Sequence, residues 1–468
     1  MSNLLETASI ATSLTRKATS PVFRKSSVSV IFHNHYEEKI YTSGSPITGE
    51  VVITPVRDTR FENVEVSFIG LSRTKIIATQ VPQRSSHVFL KLTMPISDSK
   101  YPMPRIFEQG RTYSIPFHFV VPSQLTLSAC KHASDNVYVQ DYHMRMPPTM
   151  GTWSRDDLSP ETAQVEYFVR ARVLGEADTG RRPEKIFEAQ KPLLVLPPSP
   201  EDAPFNITSK DMHYTMSKTK SIKKNMFSHK LGRFTATASQ PSAIHIGADT
   251  RSASGTAVTL QLGFEPAASD IAPPTVKAVS AKLVSSTWYG VTPAKNLPDM
   301  GSRPDFAIEP PRLAYKAGIS LFNTEVNQVT WRLQGATPRR DSGYSTDHEG
   351  SDSSSGKKSK KKSAKGDKIS HSATLYIPFD VSAKQKVLLP TFHSCLVSRV
   401  YALHLNLTVG SANTTVSLVV PVQVAVEPSE ELIGDEDEVA ENIEQYLTPR
   451  VLRVPDQEPV RHVLPGYA

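Results

Sequence analysis

The chain has 468 residues, including 36 Pro and 22 Gly, with 38% hydrophobic residues and a formal net charge of +7. At roughly 150 residues per domain this length implies two or three compact units and excludes a single small one, and an apolar share below the roughly 45–50% of ordinary globular chains leaves part of the sequence unpacked. No apolar run reaches the roughly 18 residues of a membrane span; the longest, from Val416 to Val426, is broken by Ser417, Pro421 and Gln423.

In chain order, residues 1–24 carry no contiguous apolar stretch before a small-residue cleavage site, so a secretory leader is not expected and the segment reads as disordered. Period-two alternation follows at 28–32, 50–54, 64–69, 112–120 and 165–173. In the last of these Val165, Tyr167, Val169, Ala171 and Val173 are apolar, while Glu166, Arg170 and Arg172 are charged. One sheet face is therefore buried and the other wet. Residues 25–198 are expected to form one sandwich. Strand density falls after Pro197-Pro198-Ser199-Pro200, so 199–254 reads as an irregular linker with Lys218, Lys220, Lys223, Lys224 and Lys230.

Alternation returns at 258–262, 276–284, 328–333, 374–379, 401–409 and 416–426, the last two joined by Gly410-Ser411-Ala412-Asn413 as a hairpin. A second sandwich is expected over 255–427. It is interrupted at 338–369 by a Ser- and Lys-rich insert that cannot bury enough apolar surface to fold. Residues 428–468 form an acidic tail, with a short amphipathic helix plausible at 436–447. The fold class is all-β: two tandem antiparallel β-sandwiches with a disordered linker, insert and tail.

Chemistry-bearing motifs are missing from the sequence. The stretch Gly350 to Gly356 has the wrong spacing for a phosphate loop, and neither a G-x-S-x-G elbow nor an H-E-x-x-H pair occurs. His33 and His35 share one side of a strand but have no third ligand in view, so they read as a surface or core pair. Asp156-Asp157 and Glu37-Glu38 read as solvated turn or strand-edge charges. Cys130 and Cys395 are too few for a disulfide framework or a thiolate site, no spaced His cluster supplements them, and both read as small buried hydrophobes. No catalytic residue, cofactor or metal ligand is expected, nor any nucleic-acid partner.

Several motifs nevertheless resemble a known family. Tyr41-x-x-Gly44-x-x-x-x-Gly49-Glu50-Val51-Val52-Ile53, then Val64-x-Val66-x-Phe68-Ile69-Gly70-Leu71-x-Arg73, look like the opening strands of the arrestin-type N-terminal domain. Gly110-x-x-Tyr113-x-Ile115-Pro116-Phe117-x-Phe119-Val120-Val121-Pro122 resembles its central strand. Leu389-Pro390-Thr391-Phe392-x-Ser394-Cys395-Leu396-Val397-Ser398-Arg399-x-Tyr401 is similar to the C-terminal domain of fungal arrestin-related proteins. In physical terms these residues build a sandwich: glycines where strands turn or swap sheets, Pro116 at a bulge or edge, and Phe117 and Phe119 on one core face.

The resemblance implies a cytoplasmic, non-catalytic adaptor, peripherally associated with the plasma membrane or endosomes. Such adaptors recognise cytoplasmic segments of membrane cargo and bring a HECT ubiquitin ligase to it, through Pro-Pro-x-Tyr segments that dock in the ligase's WW domains. No Pro-Pro pair here is followed by Tyr at the required position. One variant remains, Leu464-Pro465-Gly466-Tyr467, which resembles the Leu-Pro-x-Tyr form and lies on an accessible end. Leu464, Pro465 and Tyr467 are the expected WW contacts. Lys357, Lys358, Lys360, Lys361, Lys362, Lys365 and Lys368 in the insert have three readings: a solvated loop, a contact with anionic lipid to which each would contribute about 1 kcal/mol near the surface, or a nuclear signal. A membrane-facing adaptor favours lipid over the nuclear signal. Phosphorylation of interleaved serines such as Ser359 and Ser363 would weaken that contact. The alternative is an arrestin-like signalling or endosomal-sorting scaffold that does not itself recruit a ligase.

Overall fold

The computed structural model describes residues 27–77, 81–132, 137–176, 183–225, 229–300, 312–326, 328–334, 369–382 and 386–427. The expected N-terminal disorder, the insert through Lys368, and the tail with its helix lie outside them.

The first half folds into β1 (Ser27–Phe32), β2 (Ile40–Tyr41), β3 (Pro46–Thr54), β4 (Thr59–Arg60), β5 (Asn63–Ile76), β6 (Gln83–Met94), β7 (Ile106–Phe107), β8 (Tyr113–Val120), helix α1 (Val137–Met144), β9 (Ala163–Leu174) and β10 (Lys185–Val195). A three-stranded sheet β1-β3-β8 faces a five-stranded sheet β2-β10-β9-β5-β6, with a small ribbon β4-β7 beside them. Alternation decides which side chains go inside. Val165, Tyr167, Val169, Ala171 and Val173 are buried. The outward residues form ion pairs on the wet face, Glu166 with Arg73 at 2.8 Å and Arg172 with Glu188 at 2.6 Å. Ile47, Val51, Ile53, Ile115, Phe117 and Phe119 close the core from the smaller sheet, each buried side chain contributing roughly 1.5–3 kcal/mol.

The family-like motifs fall where their chemistry requires. Pro116, which has no N–H for a ladder, sits in the edge strand β8 opposite Glu50 of β3. Gly44 and Gly110 have φ of 82° and 74° and turn the chain. Gly49 and Gly70 lie inside strands rather than where a strand turns or swaps sheets, a correction to the expectation for these glycines. A Cβ on Gly49 would come within 2.1 Å of the Ile31 carbonyl oxygen, and one on Gly70 within 2.3 Å of the Phe89 ring. Helix α1 is a further departure from the all-strand reading. Its apolar residues are spread around the helix rather than along a stripe, leaving Val137 and Tyr138 exposed while Val139 and His143 are buried, so no helical period announces it.

The second half contains β11 (Ser217–Lys223), β12 (Lys230–Ala238), β13 (Ile244–Ile246), β14 (Thr256–Pro266), β15 (Val276–Tyr289), β16 (Leu313–Glu325), β17 (Arg332–Gln334), β18 (Ser370–Phe379), β19 (Phe392–His393), β20 (Val397–Val409), β21 (Thr414–Val422) and β22 (Val424–Val426). One sheet runs β11-β12-β14-β18-β17; the other runs β16-β15-β20-β19, with β21 paired to β20 as the expected hairpin. Among the described residues the named strands pair antiparallel apart from the short parallel contacts β2–β10 and β13–β22. The irregular linker expected at 199–254 is corrected: β11, β12 and β13 lie within it and belong to the second sandwich. β11 is a Lys- and Ser-rich edge strand in which Ile222 alone is buried, so burial gives it almost no hydrophobic pattern.

The two cores interlock. Tyr289, Val387, Leu389, Phe392, Leu396 and Val397 of the second half pack into the core of the first sandwich. Leu158 and Leu196 of the first half pack into the core of the second. Exchange of fully buried side chains in both directions makes the junction part of each hydrophobic interior.

Candidate functional site

The segment from Leu389 to Tyr401, which reads as a sandwich-building motif, is the structural centre of the junction. Alternation along β20 places Arg399 where the two halves meet, and it is fully buried. A guanidinium there must have its donors occupied. Nε donates to Thr287 Oγ1 at 3.0 Å, Nη1 to the Asp157 carbonyl oxygen at 2.9 Å and Nη2 to Ser159 Oγ at 2.6 Å. Two residues on, Tyr401 Oη donates to the Leu389 carbonyl oxygen at 2.6 Å, and burial raises its pKa.

The acceptor loop is held in turn by Asp157. Its carboxylate accepts from the Gly151 and Ser159 backbone N–H groups at 2.6 and 3.0 Å. Asp157 is therefore a buried organiser of the junction, correcting its reading as a solvated turn charge. Asp156 beside it is exposed and pairs with Lys386 of the second half at 2.9 Å. The Lys386 ammonium, then the Leu158 backbone N–H, hold its carboxyl below the usual value. Thr74 Oγ1 donates to the Gly290 carbonyl oxygen at 2.8 Å, and Arg155 Nη2 to Thr250 Oγ1 at 2.7 Å. Glu38, of the other acidic pair, remains exposed and meets Arg251 at 3.3 Å.

Two clefts flank this seam. The larger, about 1010 Å³, is walled by Glu38, Lys39, Tyr41, Trp153, Arg155 and Arg251. The smaller, about 320 Å³, is walled by Tyr142, Arg145, Pro147, Pro198, Pro390 and His393. At its edge Arg145 pairs with Asp202 at 3.0 Å, and burial, reinforced by Asp202, pushes the Tyr142 phenol up to about 12. These walls combine aromatic, Pro and paired charged groups.

The cysteines are buried as expected, but the expectation that no His cluster accompanies them is corrected. Cys130 and Cys395 are buried, and the fold brings His132 and His143 to them, with one ligand atom of each residue lying within 4.8 Å of the other three. Three of the four come from the first half and Cys395 from the second, so sequence spacing could not reveal the group. His33 and His35 do not join it. They lie past the end of β1, where His35 Nδ1 is 3.2 Å from Tyr41 Oη and its ring packs edge-on against Phe32.

The expected WW contacts Leu464, Pro465 and Tyr467, and the lysines Lys357, Lys358, Lys360, Lys361, Lys362, Lys365 and Lys368, all lie outside the described residues. Arg399 and Asp157 are the principal junction residues that sequence reasoning missed. A charged residue inside the mostly apolar, strand-forming run from Leu396 to Tyr401 was the available signal for Arg399.

Residues 321–426 match the family model described as Bul1 C terminus. The matched stretch spans β17 to β22 and the last residues of β16, so it contains Arg399, Tyr401 and Cys395. The match is to an arrestin-related domain and supports both the arrestin-like adaptor resemblance and a trafficking-adaptor role. Adaptors of this family are generally non-catalytic. No curated protein matches the chain. No helix among the described residues is long and apolar enough to cross a membrane.

Proposed function

We propose that this arrestin-like chain recognises cytoplasmic segments of plasma-membrane transporters or receptors and recruits a HECT-type ubiquitin ligase to them for ubiquitin-dependent endocytosis. The observation that carries the reading is the Bul1 C-terminus match at 321–426, placed on a tandem sandwich whose halves share their cores. Interlocked cores suit a rigid platform, and a platform of this kind recruits through its appended segments.

Leu464-Pro465-Gly466-Tyr467 is the proposed ligase contact. A Pro-containing segment near the polyproline II conformation loses little entropy on docking, while its Pro and Tyr fill adjoining aromatic-lined pockets. A single copy gives weak binding that linked WW modules strengthen by avidity. For the membrane contact, the seven lysines of the insert are supported by Lys218 and Lys220 on β11, both exposed and in the same sheet as β18, which follows the insert. Anionic vesicles should bind the full chain, and deletion of 338–369 should weaken that binding; equal binding by both forms rejects the lipid contact.

The full chain and its Tyr467→Ala variant, tested against isolated WW domains, decide the ligase step. Binding by the parent that is lost in the variant supports recruitment. Equal behaviour of the two favours the second reading, a signalling or endosomal-sorting scaffold of the same fold that does not itself recruit a ligase.

A further inference from the structure

We infer that Cys130, His132, His143 and Cys395 form a structural zinc site that ties the first sandwich to the second. The inference is independent of the ligase and lipid contacts and stands on the geometry of the junction.

Two sulfurs and two imidazole nitrogens are the donor set of a closed tetrahedral zinc centre, and soft thiolate with imidazole selects zinc over harder cations. With Zn–S near 2.3 Å and Zn–N near 2.0–2.1 Å, a tetrahedron places neighbouring sulfur and nitrogen ligands about 3.6 Å apart. Cys130 Sγ lies 3.5 Å from His132 Nδ1 and 3.6 Å from His143 Nδ1. Two edges of the tetrahedron are thus already at length, and the widest separation in the group is 4.8 Å or less, so a metal would draw the ligands together without rebuilding the backbone.

The surroundings fit the same use. His132 Nε2 lies 3.2 Å from the Ala294 carbonyl oxygen; donating there fixes the tautomer and leaves Nδ1 free to ligate, the usual outer-shell arrangement of a metal-bound histidine. Arg312 donates from Nη2 to the Cys395 carbonyl oxygen at 2.9 Å and from Nη1 to that of Leu396 at 3.2 Å. It braces the loop that carries the fourth ligand and sets a positive charge near the thiolates. Cys130, His143 and Cys395 are almost wholly buried. Zinc binding would displace the two thiol protons to solvent, leaving two thiolates around a dication with no net charge.

The ligands come from both halves of the chain. Cys130 and His132 follow the loop after β8, His143 lies on α1, and Cys395 lies between β19 and β20. Coordination would close a very long loop, which is where a metal clip stabilises most.

Metal content of the full chain, purified under reducing conditions and equilibrated with zinc, is the test. The expected result is about one zinc per chain, and replacement by cobalt should give the visible absorption of a tetrahedral ion with a thiolate charge-transfer band. Cys395→Ser should lose the metal while circular dichroism still reports strand. His132→Asn, at the least buried ligand, keeps the fold testable should the serine variant unfold, and should weaken binding by at least the roughly 10–100-fold that an outer-shell change costs. A chelator should lower the melting temperature of the parent and not of Cys395→Ser. Folded parent chain that takes up no zinc, a Cys130–Cys395 disulfide persisting in reductant, or zinc retained at full affinity by both variants would overturn the site.

Discussion

Arg399 of β20 donates from Nη1 to the backbone oxygen of Asp157, 2.9 Å away and on the other sandwich. With Thr287 accepting from Nε and Ser159 from Nη2, each guanidinium nitrogen has a hydrogen-bond partner although the side chain is fully buried. Hydrogen bonds from a charged donor are individually worth about 1.5–3 kcal/mol, and removing the donor strands its acceptors. Arg399→Met should therefore destabilise the chain by roughly 3 kcal/mol, read as a shift of the urea midpoint. A loss below about 1 kcal/mol would mean the junction is not organised around this side chain.

The exchanged core residues carry a second expectation. Leu396 lies in the second half but packs in the core of the first, so Leu396→Ala should cost about 2–5 kcal/mol and destabilise both sandwiches together. Probes placed in each half should report one coincident transition. Tyr376→Ala, at an exposed position, is the control and should change stability by less than about 0.5 kcal/mol. Separate transitions, with Leu396→Ala shifting only the second, contradict a shared interior.

Gly49 tests the packing between β1 and β3. Its missing Cβ would meet the Ile31 carbonyl oxygen at 2.1 Å and the Phe117 ring at 2.6 Å, and the backbone oxygen cannot swing aside. Gly49→Ala should cost about 3 kcal/mol. Gly263→Ala, whose Cβ would meet Thr235 only at 4.0 Å, should be neutral or slightly stabilising; thermal melts of the two variants rank them directly. Equal melting temperatures would refute the close approach.

The pair Asp156–Lys386 gives a pH dependence of known sign. Lys386, with the Leu158 N–H, holds the Asp156 carboxyl below its ordinary 3.8. A depressed carboxyl adds stability above the unfolded value and loses it as pH falls through the folded one. Both partners are partly exposed, so the contribution is below about 1 kcal/mol. Asp156→Asn should be slightly less stable than the parent at neutral pH and in low salt, with the gap closing below about pH 3.8. A gap that widens on acidification has the wrong sign.

Much of the fold was legible because alternation is a direct consequence of one buried sheet face. Val165–Val173 and the Tyr401–Val426 hairpin announced β9, β20 and β21 for that reason. β11 was hidden because an edge strand with one buried side chain carries no such signature. α1 was hidden because its apolar residues do not form a stripe. At the junction, the Leu389–Tyr401 motif was visible as sequence, but its partners Asp157 and Ser159 are remote in the chain and no spacing links them. The same holds for Cys395 and the histidines of the first half. Side chains assembled from distant segments become a site only through topology, while a linear segment such as Leu464–Tyr467 can be read from sequence directly.

The proposed coupling of membrane cargo to ubiquitination is tested most directly by comparing ubiquitin-modified and surface-retained membrane proteins in cells that express the chain natively, lack it, or carry Tyr467→Ala. The expected result is a defined set of transporters or receptors that are ubiquitinated and internalised with the parent chain and retained at the surface in both other strains. Unchanged ubiquitination and surface levels when the chain is absent would contradict it.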